Sequence, residues 1–150
     1  MKRFMIYMAL LAALLLLPEH GTDIGRLRPV GLVQLYKENE NLFIVTDTGD
    51  SGVGITIDAA FENLEDTTSG VIFLDTADYL LVSRTAIQEV QGLQQYLKPS
   101  IYVCIADKKI DPKQAAEYLA VHKPTFRLKN QRNLRDVQKL ISENGRLNLK

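Results

Sequence analysis

Two short acidic motifs stand where carboxylates could carry out peptide hydrolysis. Asp47-Thr48-Gly49 follows one apolar run, and Asp75-Thr76 follows another. In aspartic-type hydrolysis, two carboxylates about 3 Å apart share a proton, so that one acts as base and the other as acid. The second motif lacks the glycine, and the segment after the first is predicted to lead into a helix instead of continuing as β structure. A strand-ending turn over Asp47–Gly52, with local hydrogen bonds and positive φ, explains the first motif better.

The same stretch offers oxygen ligands at spacings that can be tested against a calcium-binding loop. With Asp47 at position 1, Ser51 and Gly52 suit positions 5 and 6. Gly49 at position 3 has no side chain to coordinate the ion, and Asp58 stands where a bidentate Glu is needed. The stretch also lacks the G-x-G-x-x-G spacing of a dinucleotide loop, and its carboxylates would repel phosphate. We therefore predict neither a metal site nor a nucleotide site here.

Other reactive side chains are few. Cys104 is the single cysteine and lies in an apolar run, so it is predicted to be a small buried hydrophobic residue without an intramolecular disulfide. His20 follows the N-terminal apolar run, and His122 stands at a predicted helix end, where a cation interacts favourably with the helix dipole. No serine lies in a G-x-S-x-G motif. These residues predict no catalytic, cofactor-binding or metal-binding site, and hence a protein that is not an enzyme.

The whole chain has the composition of a globular protein. Of its 150 residues, 46% are hydrophobic and 24% are charged, which excludes a disordered or fibrous polymer. Eighteen basic and eighteen acidic residues give a formal net charge of +0, so no global field would attract nucleic acid. The charge is unevenly distributed, however. The segment from Glu38 to Asp78 has ten acidic residues and no Lys or Arg, whereas residues 123–150 have eight basic and two acidic ones.

An apolar run opens the chain. Lys2 and Arg3 precede fourteen uncharged residues from Phe4 to Leu17. As a helix this run would span about 21 Å, which is short of the ~30 Å hydrocarbon core of a bilayer. The pattern predicts a secretory signal peptide or a short membrane anchor over residues 1–20. The residues that follow contain no small-x-small cleavage site, so retention of the run as an anchor stays open.

The remaining residues alternate between strand and helix patterns. Two runs of strand formers joined by a short polar connection predict a hairpin, after which glycines are expected to break the strand. Helical spacing after Thr56 predicts a first helix, and a Thr85–Gln88 capping box predicts a second one. Asp111 and Pro112 are typical of the start of a third helix. The predicted break lies at Gly49 to Gly54, and the third helix is expected to end near His122. The predicted strands are Pro29 to Lys37, Asn41 to Thr48, Val71 to Leu74, Tyr79 to Val82 and Ile101 to Ala106.

These elements describe a small α/β domain, a mixed sheet of about five strands with three to four helices packed on it. The continuous apolar run from Ile101 to Ala106 is typical of a strand buried on both faces, so we expect it at the centre of the sheet. Apolar residues at helical spacing, Leu134, Val137, Leu140 and Ile141, predict a last amphipathic helix. The predicted organisation is a leader over residues 1–20, an α/β domain over 21–122 and a basic amphipathic tail over 123–150.

The stretch from Ile55 to Leu119 resembles a known family. It reads ITIDAAFENLEDTTSGVIFLDTADYLLVSRTAIQEVQGLQQYLKPSIYVCIADKKIDPKQAAEYL. It is similar to part of the first domain of the spore germinant-receptor C-subunit (Ger(x)C-like) family of spore-forming Firmicutes. The shared pattern is a T-I-x-x-A helix, a strand pair, a helix that precedes an apolar strand, and a short helix resembling DPKQAAEYL. Family members carry a lipid-anchoring cysteine after the leader, and this chain has no cysteine there.

The resemblance implies an exported, membrane-associated and non-enzymatic interaction module that acts in spore germination or sporulation. The partners that the resemblance implies are membrane proteins of a germination complex. Independently of it, the basic tail over residues 123–150 favours an anionic membrane surface, and an exported protein without net charge is not expected to bind nucleic acid. The family has no catalytic residues to carry over. Two alternatives stay open: an exported domain that binds a small ligand or cell-wall component outside germination, and the aspartic-type peptidase that Asp47 and Asp75 would require.

Overall fold

Seven strands form two sheets in the computed structural model, which describes residues 24–107 and 109–128 together with the single positions 7 and 139. The larger sheet has five strands in the order β4-β3-β2-β6-β7. Strands β2, β3 and β4 form an antiparallel meander, and β6 and β7 continue the sheet parallel to β2. The remaining two strands, β1 and β5, pair in parallel as a small separate sheet. The strands are β1 (Leu27–Pro29), β2 (Leu32–Glu38), β3 (Asn41–Thr46), β4 (Ser51–Gly54), β5 (Val71–Phe73), β6 (Tyr79–Ser83) and β7 (Tyr102–Ala106).

Two α-helices begin at side-chain caps. Helix α1 (Ile57–Thr67) starts after Thr56, whose hydroxyl accepts the Ala59 N–H at 3.2 Å. Helix α2 (Pro112–Val121) starts after Asp111, whose carboxylate accepts the Lys113 N–H at 3.0 Å. Three segments are 3₁₀ helices instead: Ile24–Arg26, Leu74–Thr76 and Arg84–Gln95. The predicted starts of the first and third helices are therefore confirmed.

Helical segments cover both faces of the central strands. On one face, α1 and the Arg84–Gln95 segment pack on alternate residues of β2, β3, β6 and β7. On the other face, Ala115 and Leu119 of α2 pack on Leu32, Leu81 and Cys104. This pattern follows from the two-residue period of a strand, which sends successive side chains to opposite faces. The predicted α/β class, with helices packed on a mixed sheet of five strands, is confirmed.

Close packing of α1 on β4 depends on two glycines. A Cβ added at Gly52 would lie 2.2 Å from the Ala60 carbonyl oxygen, and one added at Gly54 would lie 2.5 Å from the Ala60 nitrogen. Both positions face backbone atoms, which cannot move aside as a side chain would. The helix can therefore approach the strand only because these residues have no side chain.

Both edges of the larger sheet are partly covered by other segments of the chain. At β4, Asn63 Oδ1 accepts the Val53 N–H at 3.0 Å and the Thr67 hydroxyl donates to the Ser51 carbonyl at 3.0 Å. At β7, the Phe126 carbonyl accepts the Val103 N–H at 2.8 Å, and residues 126–128 run alongside the strand. Satisfied edge groups are poor templates for pairing with another strand.

Three sequence predictions are wrong in detail. The glycines of Gly49 to Gly54 do not end the β structure, because Ser51–Gly54 forms β4. The Ile101 to Ala106 run is not central, because β7 is last in the order of the five strands, although helices on both faces still bury it. The segment after Ser83 is 3₁₀, and Thr85 donates its hydroxyl proton to the Lys37 carbonyl at 3.1 Å in place of the predicted capping contact.

Several predictions fall on residues outside those described. These are the leader over residues 1–20 apart from Tyr7, and the amphipathic helix around Leu134 to Ile141 apart from Lys139. Within residues 24–107 and 109–128, no helix combines the length and apolar character needed to cross a membrane. The start of the basic tail is described as far as Leu128, which is buried in the core beside β7.

Candidate functional site

The first acidic motif binds the connection between β1 and β2. Both carboxylate oxygens of Asp47 accept the Gly31 N–H, at 3.1 and 3.2 Å, and the Asp47 N–H donates to the Leu32 carbonyl at 3.1 Å. This position arises because β3 ends at Thr46, directly beside the start of β2. The carboxylate thus satisfies a backbone donor that no strand partner reaches.

The turn after Asp47 is held by its own side chains and one ion pair. The Thr46 and Thr48 hydroxyls lie 2.7 Å apart, and Thr48 donates to Asp50 at 2.7 Å. The nearly buried Asp50 carboxylate receives Arg28 Nη1 from β1 at 2.8 Å. Gly49 has a φ of 89°, the left-handed conformation that glycine adopts without strain. The sequence prediction of a turn with local hydrogen bonds and positive φ agrees with this geometry.

The second acidic motif reaches the same connection through its threonine. The Thr76 hydroxyl accepts the Val30 N–H at 3.0 Å and donates to the Phe73 carbonyl at 2.8 Å. Asp75 is exposed on the Leu74–Thr76 segment. The two motifs therefore converge on consecutive residues, Val30 and Gly31, and they contribute one carboxylate and one hydroxyl to backbone contacts.

The carboxylates of the tested calcium loop face different partners. Asp47 binds Gly31 and Asp50 binds Arg28, whereas Asp58 accepts the Tyr96 hydroxyl proton at 2.6 Å. This hydrogen bond from the phenol to Asp58, followed by desolvation, raises the pKa of Tyr96. Among residues 24–107 and 109–128, no three or more His, Cys, Asp or Glu side chains are grouped so that they could hold a metal ion.

The side chains of Cys104 and His122 pack against other parts of the fold. Cys104 is buried on the α2 face of the sheet, and burial raises the pKa of its thiol to about 11. His122 follows α2, where its ring stacks on Tyr118 with centroids 4.4 Å apart and its Nδ1 lies 3.3 Å from the Tyr118 carbonyl oxygen. His20 lies outside the described residues.

A cleft of about 280 Å³ lies at the carboxyl ends of β2 and β6. Ligands of open α/β sheets bind at this end of parallel strands. The Ser83 and Thr85 hydroxyls lie 2.9 Å apart in the cleft, and Lys109 Nζ lies 5.0 Å from the centre of the Tyr36 ring. Asp107 at its rim pairs with Arg84. Seven residues line the cleft: Tyr36, Lys37, Glu38, Ser83, Thr85, Asp107 and Lys109.

Sequence reasoning missed this cleft. Its signal was the set of polar residues at the strand ends: Lys37 and Glu38 close β2, and Asp107 directly follows β7. The parallel pairing of β2, β6 and β7 brings these strand ends to one edge, and no single segment contains that information. The cleft offers the ammonium groups of Lys37 and Lys109 together with hydroxyl and carboxylate groups, which suits a small polar ligand.

Comparison of the chain with models of protein families, with curated proteins and with solved structures gives no match.

Proposed function

We propose that the chain is an exported, membrane-associated interaction module without enzymatic activity, and that it acts in spore germination or sporulation. The resemblance of Ile55 to Leu119 to the germinant-receptor C-subunit family supplies the biological setting. Export or anchoring rests on the apolar run from Phe4 to Leu17.

One observation carries the proposal: the groups best suited to catalysis are engaged in holding the fold. Asp47 and Thr76 bind the backbone of Gly31 and Val30, and Asp50 is paired with Arg28. A carboxylate whose oxygens already accept a backbone N–H or a guanidinium is less available to accept a proton from a bound substrate. Recognition through the surface of the domain is then the function that its chemistry favours.

The most distinctive surface is the exposed face of α1. Asp58, Glu62, Glu65 and Asp66 are exposed along this helix, and its sequence contains no basic residue. A row of carboxylates on a rigid helix attracts a basic partner surface and increases the association rate. The partner class that we propose is a membrane protein with Lys and Arg residues outside the bilayer.

Cross-linking in the spore-forming host tests this proposal. A tagged full-length chain is followed in fractions of spores and vegetative cells, and proteins cross-linked to it are isolated. We expect the chain in the spore membrane fraction together with a membrane protein, and we expect the double change Glu62→Lys and Glu65→Lys to reduce capture. Glu117→Lys on α2 is the matched control, because this residue is also an exposed helical glutamate. Recovery from the soluble fraction at both stages contradicts the proposal.

The cleft favours a second candidate, an exported domain that binds a small polar ligand such as a cell-wall fragment. A ligand that binds only the folded chain raises its stability by about 2.7 kcal/mol at 100 times Kd. Thermal unfolding with soluble cell-wall fragments, compared between the wild type and Lys109→Ala, measures this effect. A stabilisation that Lys109→Ala abolishes supports the second candidate, and no stabilisation at millimolar fragment contradicts it.

A further inference from the structure

The small β1–β5 sheet exposes an apolar face. The parallel register pairs Leu27 with Val71 and Pro29 with Phe73, so these four side chains point to the same side. Val71 is 47% exposed and Phe73 is 38% exposed, while Pro29 is exposed and Leu27 is half-buried. On the opposite side, Ile72 packs against the core. The exposed side, Leu27, Pro29, Val71 and Phe73, is the β1–β5 face.

This face lies where the chain enters the fold. Leu27 is the first residue of β1, and the apolar run of the leader ends at Leu17. Ten residues span at most about 35 Å when fully extended, so the face remains within that distance of the leader. Val53, a large exposed apolar residue of β4, lies on the five-stranded sheet and not on the β1–β5 sheet.

The charges around the β1–β5 face leave it open to an apolar surface. Arg28, on the opposite side of β1, is paired with Asp50, and Asp78 is paired with Lys98 at 2.8 Å. Arg26 and Asp75, which flank the two strands, are exposed and can stay in water at the rim. An aromatic ring among aliphatic residues with charges at the rim suits the boundary between lipid headgroups and acyl chains.

We infer that the β1–β5 face is the surface through which the domain contacts the lipid bilayer beside its own leader. This inference rests on the membrane association proposed above and names the part of the domain that lies against the lipid. Contact at this face would orient the domain with the carboxyl-end cleft away from the bilayer. Strand β2 begins at Leu32, shortly after Pro29 ends β1, and the Tyr79 N–H at the start of β6 donates to the Gly31 carbonyl between them, whereas the cleft lies at the other ends of β2 and β6.

Tryptophan fluorescence tests the inference directly, because the chain contains no Trp. The full-length chain carrying Phe73→Trp is reconstituted into vesicles of phosphatidylcholine and phosphatidylglycerol, with and without brominated acyl chains. Val53→Trp is the matched control, since Val53 is 41% exposed on a strand of the other sheet. Val71→Trp provides a second reporter on the same face if Phe73→Trp fails to fold.

The inference predicts that bromolipid quenches Phe73→Trp and that its emission shifts to the blue on reconstitution, while Val53→Trp does neither. Equal behaviour of the two variants in chains that float with the vesicles overturns the inference but leaves membrane association intact. Failure of the wild-type chain to float with vesicles overturns the proposed membrane association itself. A blue shift in detergent that grows with protein concentration, without bromolipid quenching, assigns the face to a second copy of the chain and also overturns the inference.

Discussion

The Asp47 and Asp75 carboxylates differ in what they contact, although their local sequences are alike. Asp47 accepts the Gly31 N–H with both oxygens, whereas Asp75 is exposed. Two carboxylates that share a proton must lie about 3 Å apart in one site, where both cannot be ionised at once. The two threonines also differ: the Thr48 hydroxyl donates to Asp50 within the same turn, whereas the Thr76 hydroxyl accepts the N–H of Val30, which is distant in sequence.

We predict that removal of the Asp47 carboxylate and removal of the Asp75 carboxylate change the stability of the fold by different amounts. Asp47→Ala leaves the Gly31 N–H without its partner, and we expect the free energy of unfolding to fall by about 2 kcal/mol. Asp75→Ala should change it by less than about 0.5 kcal/mol, because the residue is exposed. Urea unfolding of the two variants measures the difference. Equal effects on stability, with loss of a peptidase activity in both, would indicate a catalytic pair.

Cys104 provides a prediction with a pH dependence. Burial raises the pKa of its thiol from 9.0 to about 11, so the folded state binds the proton more tightly than the unfolded state. The resulting stability is fully present below pH 9 and is lost as pH rises towards 11. At pH 8 we expect maleimide to modify the folded protein at least about 100-fold more slowly than the urea-unfolded protein. Equal modification rates in the two states would mean that the thiol is accessible.

The contact between β4 and α1 depends on glycines in β4, which have no side chain. Gly52→Ala forces a Cβ to within 2.2 Å of the Ala60 carbonyl oxygen, and we expect a loss of about 3 kcal/mol. Gly49→Ala is the matched control, since a Cβ there meets nothing within 4 Å. Its φ of 89° should still cost about 1 kcal/mol. Urea unfolding compares them, and a Gly49→Ala variant less stable than Gly52→Ala contradicts this account of the packing.

Local signals in the sequence predicted the elements that begin with a cap, and failed where distant contacts decide the structure. Thr56 and Asp111 cap α1 and α2 through bonds to residues two or three positions away. Strand β4 was missed because its four residues include two glycines, whose use is explained only by contact with α1. The run at Ile101 to Ala106 looked central because helices and residues 126–128 bury β7 as thoroughly as neighbouring strands would.

At the scale of the whole molecule, the segment after α2 belongs to the packed domain as far as Leu128. This side chain is buried in the core, and its N–H donates to the Ile101 carbonyl at 2.9 Å. Leu128→Ala should therefore lower the free energy of unfolding by about 3 kcal/mol. Val121→Ala is the control, because Val121 is 77% exposed, and it should change stability by less than about 0.5 kcal/mol. A neutral Leu128→Ala would show that residues 123–128 do not contribute to the core.

The charge distribution links the fold to the proposed function. Every acidic residue from Glu38 to Asp78 lies on β2, on α1 or in the connections between β2 and β6, and α1 exposes four of them. The uneven charge along the sequence therefore becomes an acidic surface in the folded domain. The uneven charge is visible in the sequence itself. Which face of α1 carries it follows from the structure, because Ile57, Phe61 and Leu64 are buried and leave the acidic side chains exposed.

We propose that the chain works by surface recognition and not by catalysis, and the germination rate of spores that carry two sets of changes distinguishes these functions. One strain carries Asp47→Asn and Asp75→Asn, which keep the size of both side chains, and the other carries Glu62→Lys and Glu65→Lys on the exposed face of α1. With both variants present at wild-type levels in the spore membrane, we expect the first strain to germinate at the wild-type rate and the second to germinate more slowly. Loss of germination in the first strain, with a normal rate in the second, would contradict the claim.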